Sequence, residues 1–250
     1  MRNHLVACAV AIALPAAAWG ADYPVKAPPV VPVAPLAYSW TGFYIGGNIG
    51  GAWAGNSGWT DSISGLAWNN GNNGTFIGGG QIGFNYQFGN FVLGVEADAD
   101  WAANNSNNAV GVVVPAVGTI AISGNDRWIS TLAARFGVAF DQVLLYGKVG
   151  GGWVGADNFA ITNVTTGTSI AGLNGSTNSG WLVGAGLEWG FAPSWSVKFE
   201  YDYLGLNSRT LTVPLGSPFL AGDVFTTGNR NIQMAKVGVN YLFNWGAYRY

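Results

Sequence analysis

Three aspartates, Asp98, Asp100 and Asp202, are the residues here whose type best suits acid–base chemistry. Grouped carboxylates can divide the roles of acid and base when their surroundings push their pKa values apart. The partners such chemistry needs are missing. The one histidine, His4, and the one cysteine, Cys8, lie at the extreme N-terminus, and no serine-centred nucleophile motif accompanies the acids. Gly78, Gly80 and Gly83 match the spacing of the dinucleotide fingerprint. No helical pattern follows them, and the fingerprint works only where a strand turns into a helix. The chain is therefore not expected to be an enzyme, and no cofactor is expected. Net charge is −2, so no basic field for nucleic acid exists.

The ionic residues make a different constellation. Glu96, Asp98, Asp100, Arg127, Arg135, Lys148, Glu188, Lys198, Glu200, Asp202 and Lys236 each sit in a segment where apolar and polar residues alternate. Phe91, Leu93, Val95, Ala97, Ala99 and Trp101 alternate with Glu96, Asp98 and Asp100. Trp195, Val197, Phe199, Tyr201 and Tyr203 alternate with Lys198, Glu200 and Asp202. Val237, Val239, Tyr241 and Phe243 alternate with Lys236 and Asn240. Successive side chains on a strand point to opposite faces, so each segment has a greasy face and an ionic one.

Eight such segments run Trp40–Ala54, Phe76–Phe88, Phe91–Ala102, Arg127–Phe140, Val143–Asp157, Trp181–Phe191, Trp195–Asn207 and Asn231–Phe243. Each reaches the ~9–11 residues of a tilted membrane strand. Only 9% of residues are charged, against roughly 25% in ordinary soluble domains. Beyond the N-terminus no apolar run approaches the ~18 residues of a membrane helix. The expected fold is all-β, an eight-stranded antiparallel transmembrane up-and-down barrel over residues 40–250. Its apolar face meets lipid and its ionic face lines the lumen. Phe, Tyr and Trp at both ends of the segments form two aromatic girdles.

An eight-stranded barrel encloses only a narrow lumen. The near balance of acids and bases favours charges that pair and plug it over charges that line a pore. Eight of the inward positions are glycine (among them Gly46, Gly83, Gly150 and Gly186), so water-filled gaps could remain.

Gly89-Asn90, Asp141-Gln142 and Ala192-Pro193-Ser194 read as tight turns. Gly55–Thr75, Ala103–Asp126, Asn158–Gly180 and Ser208–Arg230 read as long surface loops, with aromatic and Asn-rich patches such as Trp68-Asn69-Asn70. Short turns at one end and long loops at the other are the outer-membrane pattern. Residues 1–20 read as a secretory signal peptide: Arg2 and His4 precede an apolar stretch from Leu5 to Ala18, and Ala18-Trp19-Gly20 suits cleavage before Ala21. Cys8 would leave with it. Residues 21–39 read as a Pro-rich periplasmic linker in extended form.

The stretch Tyr38-Ser39-Trp40-Thr41-Gly42-Phe43-Tyr44-Ile45-Gly46-Gly47-Asn48-Ile49-Gly50-Gly51 resembles the first strand of the small alphaproteobacterial outer-membrane β-barrel family, often called outer-membrane immunogenic or porin-family proteins. The preceding linker and the ending Lys236-Val237-Gly238-Val239-Asn240-Tyr241-Leu242-Phe243 are similar too. The resemblance implies an OmpA-like barrel in the outer membrane of a Gram-negative bacterium that supports envelope integrity and is commonly antigenic. It also implies outer-membrane lipids, lipopolysaccharide and the barrel-assembly machinery as partners. Lys236, Gly238, Tyr241 and Phe243 would carry the assembly signal, although Asn244–Tyr250 continue past the final Phe typical of the family. Some members bind haem, but no residue carries that over. The alternatives to a structural barrel are a small porin for solute diffusion and a binder of haem or a host ligand through the loops.

Overall fold

Backbone groups in a membrane must all find partners within the protein, so strands that cross it have to close on themselves. The structure, a computed structural model, describes residues 38–243 except 56, 63–64, 66, 71–73, 104–110, 115–117, 124–125, 157–158, 174–176, 209, 213–214, 216–221 and 223. The segments read as signal peptide (1–20) and most of the linker (21–37), and the tail 244–250, lie outside the described residues.

Along the chain, β1 (Gly42–Gly55) is followed by two short strands, β2 (Ser57–Asp61) and β3 (Ala67–Asn70). β4 (Gly74–Phe88) and β5 (Phe91–Ala102) form a long hairpin, followed by the short β6 (Gly111–Val114) and β7 (Gly118–Ser123). β8 (Asp126–Phe140) and β9 (Val143–Ala156) form the next hairpin, then the short β10 (Phe159–Asn163) and β11 (Ser169–Leu173). β12 (Thr177–Ala192) and β13 (Trp195–Leu206) precede β14 (Thr210–Thr212) and β15 (Val224–Thr227). β16 (Arg230–Phe243) is last.

The eight long strands form a closed antiparallel barrel in the order β1-β16-β13-β12-β9-β8-β5-β4. First and last strands seal it, with Gly46 opposite Asn240 and Gly50 opposite Lys236. Alternation sets the two surfaces. On β5, Phe91, Leu93, Val95 and Trp101 are exposed, while Glu96, Asp98 and Asp100 are buried. Most predicted girdle residues are exposed on the outer wall: Trp53, Phe76, Trp101, Trp153 and Trp181 towards the long loops, and Phe43, Phe88, Phe91, Phe140, Phe191, Trp195 and Phe243 towards the short turns. Trp128 and Tyr203, expected in the long-loop girdle, are half-buried. Two of the short turns between barrel strands use a left-handed residue, Gly89 (φ 60°) and Asp141 (φ 55°). Glycine adopts that conformation freely, and aspartate tolerates it better than most.

The long loops depart from the sequence reading. They are not simple connectors but form two further four-stranded sheets, β14-β15-β2-β3 and β11-β10-β7-β6. In the first, Phe225 faces Asp61 and Thr226 faces Thr60. In the second, Ala160 faces Ser123 and Ile161 faces Ile122. These strands are three to six residues long, too short for alternation to stand out. Their central pairings join loops far apart in the chain.

Strand ends differ by a few residues from the alternating segments. Trp40 and Thr41 precede β1 instead of starting it, and β12 extends back to Thr177.

Candidate functional site

Glycine on one strand decides where the neighbouring strand's side chain can go. A Cβ at Gly83 would run into the Tyr44 ring, and one at Gly186 into the Tyr146 ring. One at Gly46 would meet Asn240 and Gln81, and one at Gly184 would meet Asp202. At these four positions the anticipated gap is filled by a polar neighbour's side chain; at Gly50 and Gly150 a Cβ would instead meet the adjoining strand's backbone, and at Gly152 the Leu204 side chain.

Those long side chains converge on one ionic cluster. Glu96 is at its centre. Its Oε1 accepts from Lys148 Nζ at 2.8 Å and Lys198 Nζ at 3.2 Å; its Oε2 accepts from the Tyr44 hydroxyl at 2.7 Å and Arg135 at 3.2 Å. Lys148 also donates to Asp98 at 3.2 Å and Glu200 at 3.0 Å. Lys236 lies 3.1 Å from Asp202, 3.2 Å from Glu200, 3.4 Å from Asp98 and 3.5 Å from Asp100. Arg135 links this cluster to Glu188 at 2.7 Å. Its guanidinium stacks 3.9 Å from the centre of the Tyr146 ring, a geometry that supplies cation–π attraction. Glu188 accepts from Ser196 and, at 2.7 Å, from Asn240. Asn240 in turn accepts from Gln81, and Gln81 from Asn48, both at 2.8 Å.

Of the eleven predicted lumen charges, ten are placed inside the barrel. Glu96, Asp98, Asp100, Glu188, Glu200 and Asp202 face Arg135, Lys148, Lys198 and Lys236, all of them buried. The eleventh, Arg127, has its side chain outside what is described, and its strand carries a bulge there between Asp126 and Trp128. The described lumen thus holds six carboxylates against four cations. Such a cluster holds together because its parts compensate each other. Removing one member of a buried pair typically costs about 3–5 kcal/mol, although the whole set need not outperform an apolar core.

The same geometry bears on the chemistry open to the carboxylates. Glu96, Asp98 and Glu200 bring one oxygen each within 4.8 Å of one another, a spacing that could hold a metal ion. Lys148 Nζ already contacts all three, at 2.8, 3.2 and 3.0 Å. An ammonium group thus occupies the place a metal cation would take. Asp98, Asp100 and Asp202 are as buried as the rest.

Sequence reading missed the two ends of the lumen. It expected the inner face to be polar throughout. Towards the long loops the inward residues are apolar: Ile77, Ile129, Val154, Leu182, Leu204 and Met234 are fully or almost fully buried and pack together. Towards the short turns a second apolar layer consists of Trp40, Val92, Ala139, Leu144 and Tyr146. The ionic cluster lies between two apolar layers. The signal for these layers was present as apolar residues on both faces near segment ends, such as Phe76-Ile77 and Trp153-Val154, where strict alternation lapses.

The predicted assembly residues lie on β16. Lys236 is in the ionic cluster and Gly238 faces inward beneath Gln81 and the Lys198 stem. Tyr241 and Phe243 stack edge to face on the outer wall, ring centres 5.0 Å apart.

Residues 5–243 match the outer membrane protein β-barrel domain family. The 31 kDa outer-membrane immunogenic protein of Brucella melitensis biotype 1 is 29% identical over 261 residues, covering 96% of this chain and 100% of that protein. The 22 kDa outer membrane protein of Rhizobium leguminosarum bv. viciae is 29% identical over 188 residues, covering 74% of this chain and 73% of that protein. Among solved structures, the outer membrane protein OprG from Pseudomonas aeruginosa superposes with a TM-score of 0.50 at 10% identity, over 83% of this chain and 99% of that one.

Proposed function

We propose, from the premise that this chain belongs to the outer membrane protein β-barrel domain family, that it is a structural barrel whose lumen is closed to solutes and that performs no catalysis. Outer-membrane location follows from the family. The closed, non-enzymatic role is the reading that the lumen supports best.

One observation carries it. The barrel's cross-section is filled at three successive levels: an apolar layer, an ionic cluster and a second apolar layer. An ion would have to shed water to pass the greasy layers and then displace paired charges in the middle. Both steps are unfavourable by several kcal/mol per desolvated ion. On this reading the protein contributes to envelope integrity through its lipid-facing wall. That wall contacts lipid and lipopolysaccharide, and the last strand is offered to the assembly machinery with Tyr241 and Phe243 outward. The short turns face the periplasm.

Conductance in planar bilayers tests the proposal. Refolded protein is expected to give no steady current. Reproducible, long-lived openings at moderate voltage would favour a small porin instead.

A further inference from the structure

We infer that Tyr38, Ser39 and Trp40 form a built-in cork that closes the short-turn mouth and keeps solvent from the Glu188 end of the ionic cluster. The inference rests on the closed-lumen reading and assigns to three residues outside the barrel strands the sealing of one end.

The cork's position follows from the strand order. In the barrel order β1-β16-β13-β12-β9-β8-β5-β4, β9 lies diametrically opposite β1. Trp40 enters from the β1 side, where its backbone N–H donates to Gln87 Oε1 of β4 at 2.9 Å. Its indole N–H reaches the far side and donates to the Asp141 carbonyl, in the turn between β8 and β9, at 3.2 Å. The side chain therefore spans the mouth, and it is 1% exposed. Tyr38 packs against it at a tilt, ring centres 4.6 Å apart. Tyr38 also lies directly on Gly190 of β12, where any Cβ would run into its ring. The segment thus touches β4, β12 and the β8–β9 turn as well as its own strand.

The site beneath the cork is polar. Tyr38, Trp40, Tyr44, Asn85, Glu188 and Ser196 surround one small pocket. Asn85 Oδ1 is buried there with no hydrogen-bond partner. Burial, and after it the charge of Glu188, pushes the Tyr38 phenol up to about 12. Withdrawing it would open the Arg135–Glu188 ion pair to water from one side while leaving the apolar layer at the long-loop end in place. That asymmetry distinguishes a cork from general loosening.

Cysteine accessibility provides the test. In a Cys8→Ser background, Ser196→Cys places a thiol under the cork and Ala133→Cys places one in the distant apolar layer. Refolded protein in lipid vesicles is treated with a small charged methanethiosulfonate, and folding is checked by heat-dependent electrophoretic mobility. With the cork intact both thiols should react slowly. Tyr38→Ala with Trp40→Ala should speed the reaction at position 196 by about tenfold or more, the signature of a local opening, and leave position 133 slow. Gly190→Ala, which dislodges Tyr38 without removing either ring, should act in the same direction and decides the matter if the double variant does not fold. An unchanged rate at position 196, or equal acceleration at both positions, overturns the cork. Fast reaction at both positions with the cork intact would instead overturn the closed lumen itself.

Discussion

Removing the Arg135 guanidinium would leave Glu96 and Glu188 without the cation that joins them at 3.2 and 2.7 Å. Arg135→Ala is expected to cost about 3–5 kcal/mol of folding stability. Adding Glu188→Gln should recover part of the loss, because Arg135 is the cation that Glu188 pairs with, whereas Glu96 keeps Lys148 and Lys198. Urea titration followed by heat-dependent mobility measures both, and an Arg135→Ala barrel as stable as the parent would contradict the ionic cluster. Glycines divide in a similar way. Gly83→Ala forces a Cβ into the Tyr44 ring, whereas Gly47→Ala meets only a backbone oxygen at 3.7 Å. The first should destabilise by about 1–3 kcal/mol, as overpacking does. The second should stay within about 0.5 kcal/mol, as for ordinary surface changes. The same titration separates them, and equal effects would mean that the inward glycines are not there to admit their neighbours' side chains.

At the scale of one strand, β16 shows why alternation is so strongly enforced. Val237 and Val239 are on the outer wall, while Lys236 and Asn240 are buried inside. Val239→Arg would place a charge in hydrocarbon at about 2–4 kcal/mol near the midplane, and is expected to prevent assembly. Asn240→Gln stays inside and keeps an amide beside Gln81 and Glu188, so it should assemble. Outer-membrane fractions containing equal amounts of the two variants would contradict the outward–inward assignment. A slip of one residue would carry every charge on the strand to the lipid side, which makes neighbouring registers inaccessible.

At the scale of the whole molecule, the barrel and the loop sheets raise separate questions. Inside the barrel an ionic cluster lies between two apolar layers, and the eight long strands pair in one closed ring. Beyond it, pairing between β2 and β15 joins the first and last loops, with Thr60 opposite Thr226. Directly opposed residues of an antiparallel pair have Cα atoms about 4.5–5.5 Å apart, within disulfide reach. Thr60→Cys with Thr226→Cys, in a Cys8→Ser background, should therefore cross-link on oxidation and alter mobility on non-reducing gels. Failure of that pair to cross-link under conditions where the chain is fully folded would remove the loop sheet.

The number of long strands, their direction, the lipid-facing wall and the inward course of the charges were all legible in the alternation of residues along the chain. Each of these is local: side-chain period is two, and a bilayer penalises charge on one face, so residues such as Glu96, Lys198 and Lys236 reveal their side without reference to distant neighbours. Which charges meet emerges only on folding, because Glu96 takes partners from β1, β8, β9 and β13. Folding also brings Ile77, Leu182 and Met234 together at the loop end, pairs separated loops into sheets and leaves Trp40 ahead of β1. These features depend on contacts across the barrel axis, which exist only once the ring has closed.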